Sequence, residues 1–399
     1  MTTSIIIIIC VLLLLAYVFD ISASKTKIPS IILLLVLGYG MKQASIVLNI
    51  SIPDLSPILP ILGTVGLILI VLEGSLELEL NRKQMPFVGK TSLIALMQLL
   101  AVSFGLAYAF YSFSDINFKV ALANAIPFAI ISSAIAIPSA KNLIKKNKEF
   151  ITYESSLSDI FGVIFFNFIT QNDNIGGQSF GNFAIEILLI ILVSIVSTIV
   201  LAFLLSKIKH HVKFTPIILM VVLIYAVSKT FHLPALIFIL LFGVVLGNID
   251  EFKDNKFIQK LKPETLKREV HKFKEISTEI AFLVRALFFL LMGYLIEASE
   301  LLNTDTMLWA IDISAGIFII RYIILKLFKM DMNPILYIAP RGLITILLFL
   351  SIPLNQVCTL ANKSLIIQVI ILSALFMMLG MMGNTSPKLA NADEENVKL

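Results

Sequence analysis

The chain has 399 residues, of which 58% are hydrophobic and only 14% charged, with a mean hydropathy of +0.96. Ordinary soluble domains are roughly a quarter charged, so a water-solvated surface wrapped around one core is excluded. The formal charge of +5 and pI near 9.0 call for no nucleic acid, because most basic residues lie in the loops of one side, as set out below.

The apolar residues come in long runs, among them Ile5 to Tyr17, Ile61 to Leu72, Ile185 to Leu205 and Leu236 to Leu246. A helix needs about 20 mostly apolar residues to cross ~30 Å of hydrocarbon. With no water to satisfy backbone groups, each run must be helical. In chain order the sequence predicts spans near 4–20, 28–48, 58–79, 88–112, 119–140, 150–170, 183–206, 214–230, 234–247, 278–297, 306–328, 332–352 and 364–383. The chain therefore reads as an all-α polytopic membrane protein of about thirteen transmembrane helices. The Met-Thr-Thr-Ser start lacks the basic residues of a signal peptide, so the first run is expected to stay as a span.

Loop charge orients these spans. Alternate loops carry Lys25 and Lys27, then Arg82, Lys83 and Lys90, then Lys141, Lys145, Lys146 and Lys148, and so on to Lys388 and Lys398. The intervening loops hold only Lys42, Lys119, Lys229 and Lys363. By the positive-inside rule the N-terminus is outside and the C-terminus cytoplasmic, and the basic loops face anionic lipid. Residues 1–383 form one membrane domain, 248–277 is a polar cytoplasmic connector between two halves, and 384–399 is a disordered cytoplasmic tail. Cys10 and Cys358 lie in or beside apolar runs and imply neither a disulfide framework nor a metal site. No cofactor is expected. His210, His211, His232 and His271 lie in or beside loops, where solvation explains them.

Two spans are interrupted. In the fifth, Ser132 and Ser133 fall mid-membrane, bracketed by Pro127 and Pro138. In the twelfth, Ala339-Pro-Arg-Gly342 puts a proline, a charge and a glycine at similar depth. One span enters from outside and the other from inside, and matched interruptions in inverted halves point to a transport site between them.

Ionisable residues inside spans are costly and therefore functional candidates: Glu73, Glu154, Asp159, Arg285, Asp312, Arg321 and Arg341. Asp159 sits about 14 Å into the sixth span, with Ser155 one turn before it and Gly162 nearly one turn after, on one face. A carboxylate with a hydroxyl one turn away offers hard oxygen ligands to a monovalent cation, and a proton can compete for the same atoms. Being locked in a buried ion pair is the other role open to it. Glu154, about 6 Å deep, and Arg321, about 10 Å from the same side, are expected to pair and hold the architecture together. Arg341 can offset the C-terminal ends of broken helices or tune a cation at Asp159. Glu73 is a candidate for the inward entrance or an interfacial acid, and Arg285 and Asp312 read as interfacial.

Glu154-Ser-Ser-Leu-Ser-Asp159 resembles the Glu-Ser-x-x-Asn-Asp signature of sodium/proton exchangers in the monovalent cation:proton antiporter superfamily. Val71-Leu-Glu-Gly-Ser-Leu-Glu-Leu-Glu-Leu80 is similar to that family's third-helix motif, Ala339-Pro-Arg-Gly-Leu343 resembles its Gly-Pro-Arg-Gly element, and Leu287-Phe-Phe-Leu-Leu-Met-Gly293 and Arg321 also fit. The resemblance implies an inverted-repeat fold with two crossed, interrupted helices, a homodimer, and a mobile core. It implies Asp159 as the carrier of sodium or potassium and protons, with Ser155, Ser158 and Ser132 or Ser133 of the crossover as further ligands. It also makes Glu154 and Arg321 the stabilising pair. Ser158 stands where the family commonly has Asn or a second Asp, and Ser133-Ala134 where many members have Thr-Asp, closer to the potassium-linked branch. One acid alternating one proton with one monovalent cation makes an electroneutral cycle. The rival readings are an ion-coupled symporter, which would want a larger polar pocket, and a non-transporting sensor or assembly subunit on the same fold. An intramembrane enzyme would need catalytic residues the chain does not offer. The short tail points to a bacterial inner membrane.

Overall fold

The computed structural model describes residues 2–26, 28–48, 54–78, 84–172, 176–208, 210, 212–231, 233–252 and 263–383. The expected tail 384–399, the middle of the expected connector (253–262), His211 and His232 lie outside the described residues. All regular structure among the described residues is helical. Each apolar run predicted above coincides with a helix: α1 (Thr2–Thr26), α2 (Ser30–Val47), α3 (Ile58–Glu77), α4 (Met85–Phe113), α5 (Phe118–Ala129), α6 (Ser133–Ser139), α7 (Lys145–Gln171), α8 (Gly177–Lys207), α9 (Phe214–Thr230) and α10 (Leu236–Gly247), followed by α11 (Pro263–Leu295), α12 (Ala298–Leu301), α13 (Thr304–Leu327), α14 (Leu343–Leu350) and α15 (Lys363–Gly383).

Eight helical segments among the described residues are long and apolar enough to cross a membrane, the α5–α6 pair taken as one, and the chain is an integral membrane protein. The difference from thirteen has physical causes. α9 and α10 are short, α7 dilutes its apolar residues with charges and serines, and α14 is only eight residues long; α1 is apolar from Ile5 to Phe19 and is not counted among the eight. Residues 263–277, expected in the connector, form the first turns of α11, which runs on into the membrane without a break.

The helices pack as two bundles. In one, α11 lies against α2 and α3, α10 against α3 and α8, and α1 and α9 at the margin. In the other, α4 packs on α5 and α7, and α13 on α15 and α4, with α6 and α14 inside. The bundles meet where α3 touches α6, α7 and α14.

The first bundle depends on backbone approach. A Cβ added to Gly38 of α2 would overlap the Leu290 carbonyl, and one on Gly293 of α11 would overlap the Leu35 carbonyl. Small residues let membrane helices come this close, where packing replaces the hydrophobic drive that lipid removes. Gly293→Leu should push α2 and α11 apart at a cost of about 1–3 kcal/mol or more. The check is the thermal unfolding midpoint of detergent-purified protein, which falls if the crossing is as tight as described.

Candidate functional site

The site is built by two breaks. α5 runs through Pro127 to Ala129, the chain then extends over Ile130 to Ser132, and α6 restarts at Ser133. The prolines expected to bracket the break instead lie within the helices on either side. In the second break a single 3-10 turn, Ile335–Tyr337, is followed by extended chain, and α14 begins after Gly342. The two stretches cross and bond directly: the Ser132 amide donates to the Pro340 carbonyl at 2.9 Å. Gly342 permits this approach, since a Cβ there would stand 2.8 Å from Ser132 Oγ and 2.7 Å from Ile135 Cδ1.

Breaking a helix in the membrane exposes carbonyls at one end and amides at the other. Arg341, fully buried, takes the carbonyl end. Its Nε donates to Phe128 O at 2.7 Å, Nη2 to Ala129 O at 3.3 Å and Nη1 to Ala339 O at 2.6 Å. Of the two roles open to it, offsetting helix ends is the one its hydrogen bonds perform. Its own amide donates to Ser373 Oγ at 3.0 Å.

Asp159 takes the amide end. It is 1% exposed, and its Oδ2 accepts from the Ser133 amide at 3.3 Å and from the Ser133 hydroxyl, the first residue of α6. A carboxylate there meets the positive end of the half-helix. Asp159 Oδ1 is buried without a hydrogen-bond partner among the described residues, and so is Ser132 Oγ on the neighbouring residue. Asp159 is thus held by hydrogen bonds, and among the described residues it has no ion-pair partner.

The remaining serines are placed differently from one another. Ser158 Oγ accepts the Ile131 amide at 3.0 Å, so it satisfies a group freed by the break. Ser155 is buried one turn before Asp159 and donates back to Ile151 O at 2.7 Å, which leaves its oxygen lone pairs available. Gly162 makes room for Ile130, whose Cδ1 a Cβ would overlap.

Glu154 and Arg321 form the expected pair, fully buried and bidentate, at 2.7 and 2.8 Å. Arg321 also donates to Gln98 Oε1 at 3.0 Å and to the carbonyls of Ile335 and Leu336. One guanidinium therefore ties α13, α7 and α4 to the turn that enters the second break. Gln98 was not singled out from sequence; an uncharged amide inside an apolar run was the available signal.

Arg285 is 9% exposed, and its Nη1 lies 3.8 Å from Glu73 Oε2, so the two face each other across α3 and α11. Asp312 is exposed on α13. A cleft of about 440 Å³ opens between the bundles beside Glu77 and Leu78 at the end of α3 and Thr152 and Tyr153 on α7, one turn from Glu73. Thr152 and Tyr153 stand two turns before Asp159 on the same helix.

The sequence of residues 9–384 matches the model of the family described as "Sodium/hydrogen exchanger, transmembrane". The chain belongs to this family. None of the curated proteins matches it. Among solved structures it is similar to the sodium proton antiporter MjNhaP1 from Methanocaldococcus jannaschii at pH 8, with a TM-score of 0.69, 18% identity, and coverage of 95% of this chain and 99% of that one. An electron-microscopy map of the same antiporter gives a TM-score of 0.66 at 19% identity, covering 97% and 100%. At these identities the likeness establishes the fold, the inverted-repeat antiporter arrangement with two crossed, interrupted helices.

Removing one partner of a buried ion pair costs about 3–5 kcal/mol. Arg321→Met should lower the unfolding midpoint by that order. Arg321→Lys should recover little of it, because a lysine cannot reproduce the fork that serves Glu154, Gln98 and two carbonyls. A lysine variant as stable as the parent would show that the fork is dispensable.

Proposed function

We propose that this chain is a secondary antiporter exchanging sodium or potassium for protons by alternating access, with Asp159 as the common carrier. The observation that carries the reading is the state of its carboxylate. One oxygen is held by Ser133 at the start of α6, and the other, Oδ1, is buried and unpartnered. A buried polar atom without a partner is expensive, and a proton or a cation would each satisfy it. Both cannot occupy one oxygen of one carboxylate, so binding is competitive.

The donors around Asp159 are oxygens, the chemistry that suits alkali cations. Ser132 Oγ and the lone pairs of Ser155 and Ser133 are the nearby hydroxyl ligands in this reading, while Ser158 serves the Ile131 amide and through it the shape of the site. A single carboxylate trading one proton for one monovalent cation moves no net charge, so the cycle is electroneutral. Family membership and the name of MjNhaP1 support sodium as one cargo; the Ser133-Ala134 pair supports potassium as the other.

In the same reading the bundle of α4 to α7 and α13 to α15 moves against the bundle of α1 to α3 and α8 to α11, and the bundle of α1 to α3 and α8 to α11 pairs with its copy in a homodimer. Glu73, one turn before Glu77 of the cleft, marks the inner access side. The membrane is a bacterial inner membrane, with the N-terminus outside and the C-terminus inside.

The test is cation-driven proton movement in proteoliposomes, followed with an internal pH dye. Sodium or potassium should move protons independently of clamped voltage, and Asp159→Asn should reduce the movement to background. Ser133→Ala, which removes a hydrogen bond to a charged group, should weaken cation binding about tenfold. No movement with either cation from folded protein would leave a sensor or assembly role in its place.

A further inference from the structure

The cleft between the bundles has the wrong charge for a plain cation vestibule. Besides Thr152 and Tyr153 it is lined by three lysines, Lys145, Lys148 and Lys274, against two acids, Glu77 and Glu149. Lys145 stands 3.7 Å from Glu149 and Lys274 stands 3.8 Å from Glu77. Both separations exceed hydrogen-bond length, so the lysines are held loosely. Among the described residues Lys148 has no acidic partner. Lys145 is also the first residue of α7, whose amide end adds positive potential on the same side. Its volume of about 440 Å³ falls within the ~300–1,000 Å³ of small-ligand sites.

The lysines come from both bundles: Lys145 and Lys148 begin α7, and Lys274 lies on α11. An anion with several oxygens could draw all three inward, release the two carboxylates, and fasten one bundle to the other. We propose that this cleft is a binding site for a phosphate-bearing anion, held by Lys145, Lys148 and Lys274, whose occupancy clamps the bundles and slows exchange. The binding half rests on the cleft alone; the slowing rests on the antiporter reading above. The phosphate can come from a free solute or from a lipid headgroup at the membrane surface, and the two sources are separable.

Two binding measurements on the full chain test it. Detergent-purified protein is titrated with pyrophosphate by calorimetry, and phosphatidic acid retained from mixed phosphatidylcholine micelles is counted by native mass spectrometry. Saturable pyrophosphate binding identifies a free-phosphate site; phosphatidic acid retention without it identifies a headgroup site. In either case the double variant Lys148→Gln/Lys274→Gln should lose about a hundredfold in affinity, roughly tenfold for each charge-assisted contact. Lys146→Gln, whose lysine pairs with Asp331 at 2.9 Å, should bind as the parent does. Absence of both ligands, or equal binding by the double variant, overturns the site. Binding that leaves proteoliposome exchange unchanged overturns the clamp. Binding by a chain that moves no protons in any condition would keep the site and refute the antiporter reading instead.

Discussion

The structure depends on one constraint: a helix broken inside a membrane must have its freed backbone groups satisfied by the protein itself. Two breaks cross here, and two buried charges answer them. Arg341 gathers the carbonyls of Phe128, Ala129 and Ala339, while Asp159 receives the first amide and hydroxyl of α6. Ser158 takes the Ile131 amide, and Pro340 takes that of Ser132. The same arrangement that makes the breaks tolerable leaves one carboxylate oxygen over. In the proposed reading architecture and binding site are one network, with the Asp159 Oδ1 atom as its open position.

That network is held in place from a distance. The Glu154–Arg321 pair sits one and a half turns before Asp159 on α7, and Arg321 reaches the carbonyls leading into the second break. A change at Arg321 thus alters both the angle of α7 and the start of the crossing stretch. The Glu73–Arg285 pair does similar work across α3 and α11 in the other bundle. Between the two bundles contact falls mainly to α3, which is the geometry expected if one bundle shifts against the other.

Much of this was legible in the sequence because the contrast is high. In a chain so apolar, a carboxylate nine residues into a span or a Pro-Arg-Gly inside another stands out, and depth alone paired Glu154 with Arg321. What depth could not supply was direction. Arg285 and Glu73 lie at the ends of different expected spans, and nothing in either span revealed that they face each other. The break in the fifth span was placed by its prolines, yet helical geometry accommodates both Pro127 and Pro138, and the extended residues are Ile130 to Ser132, three of the ten between them. Gln98 and Ser373 carry no charge, so their service to Arg321 and Arg341 becomes visible only through the hydrogen bonds. The hydrogen bond from the Ile131 amide to Ser158 is likewise visible only in the structure.

The central claim is that one carboxylate holds either a proton or a cation. Its most direct test is proton release on cation binding by purified protein in weakly buffered detergent solution, read with a pH electrode as sodium or potassium is added. The account predicts close to one proton released per cation bound near neutral pH, falling to none in Asp159→Asn. Cation binding without proton release, or release that survives the substitution, would contradict it and move the exchange chemistry away from the crossing.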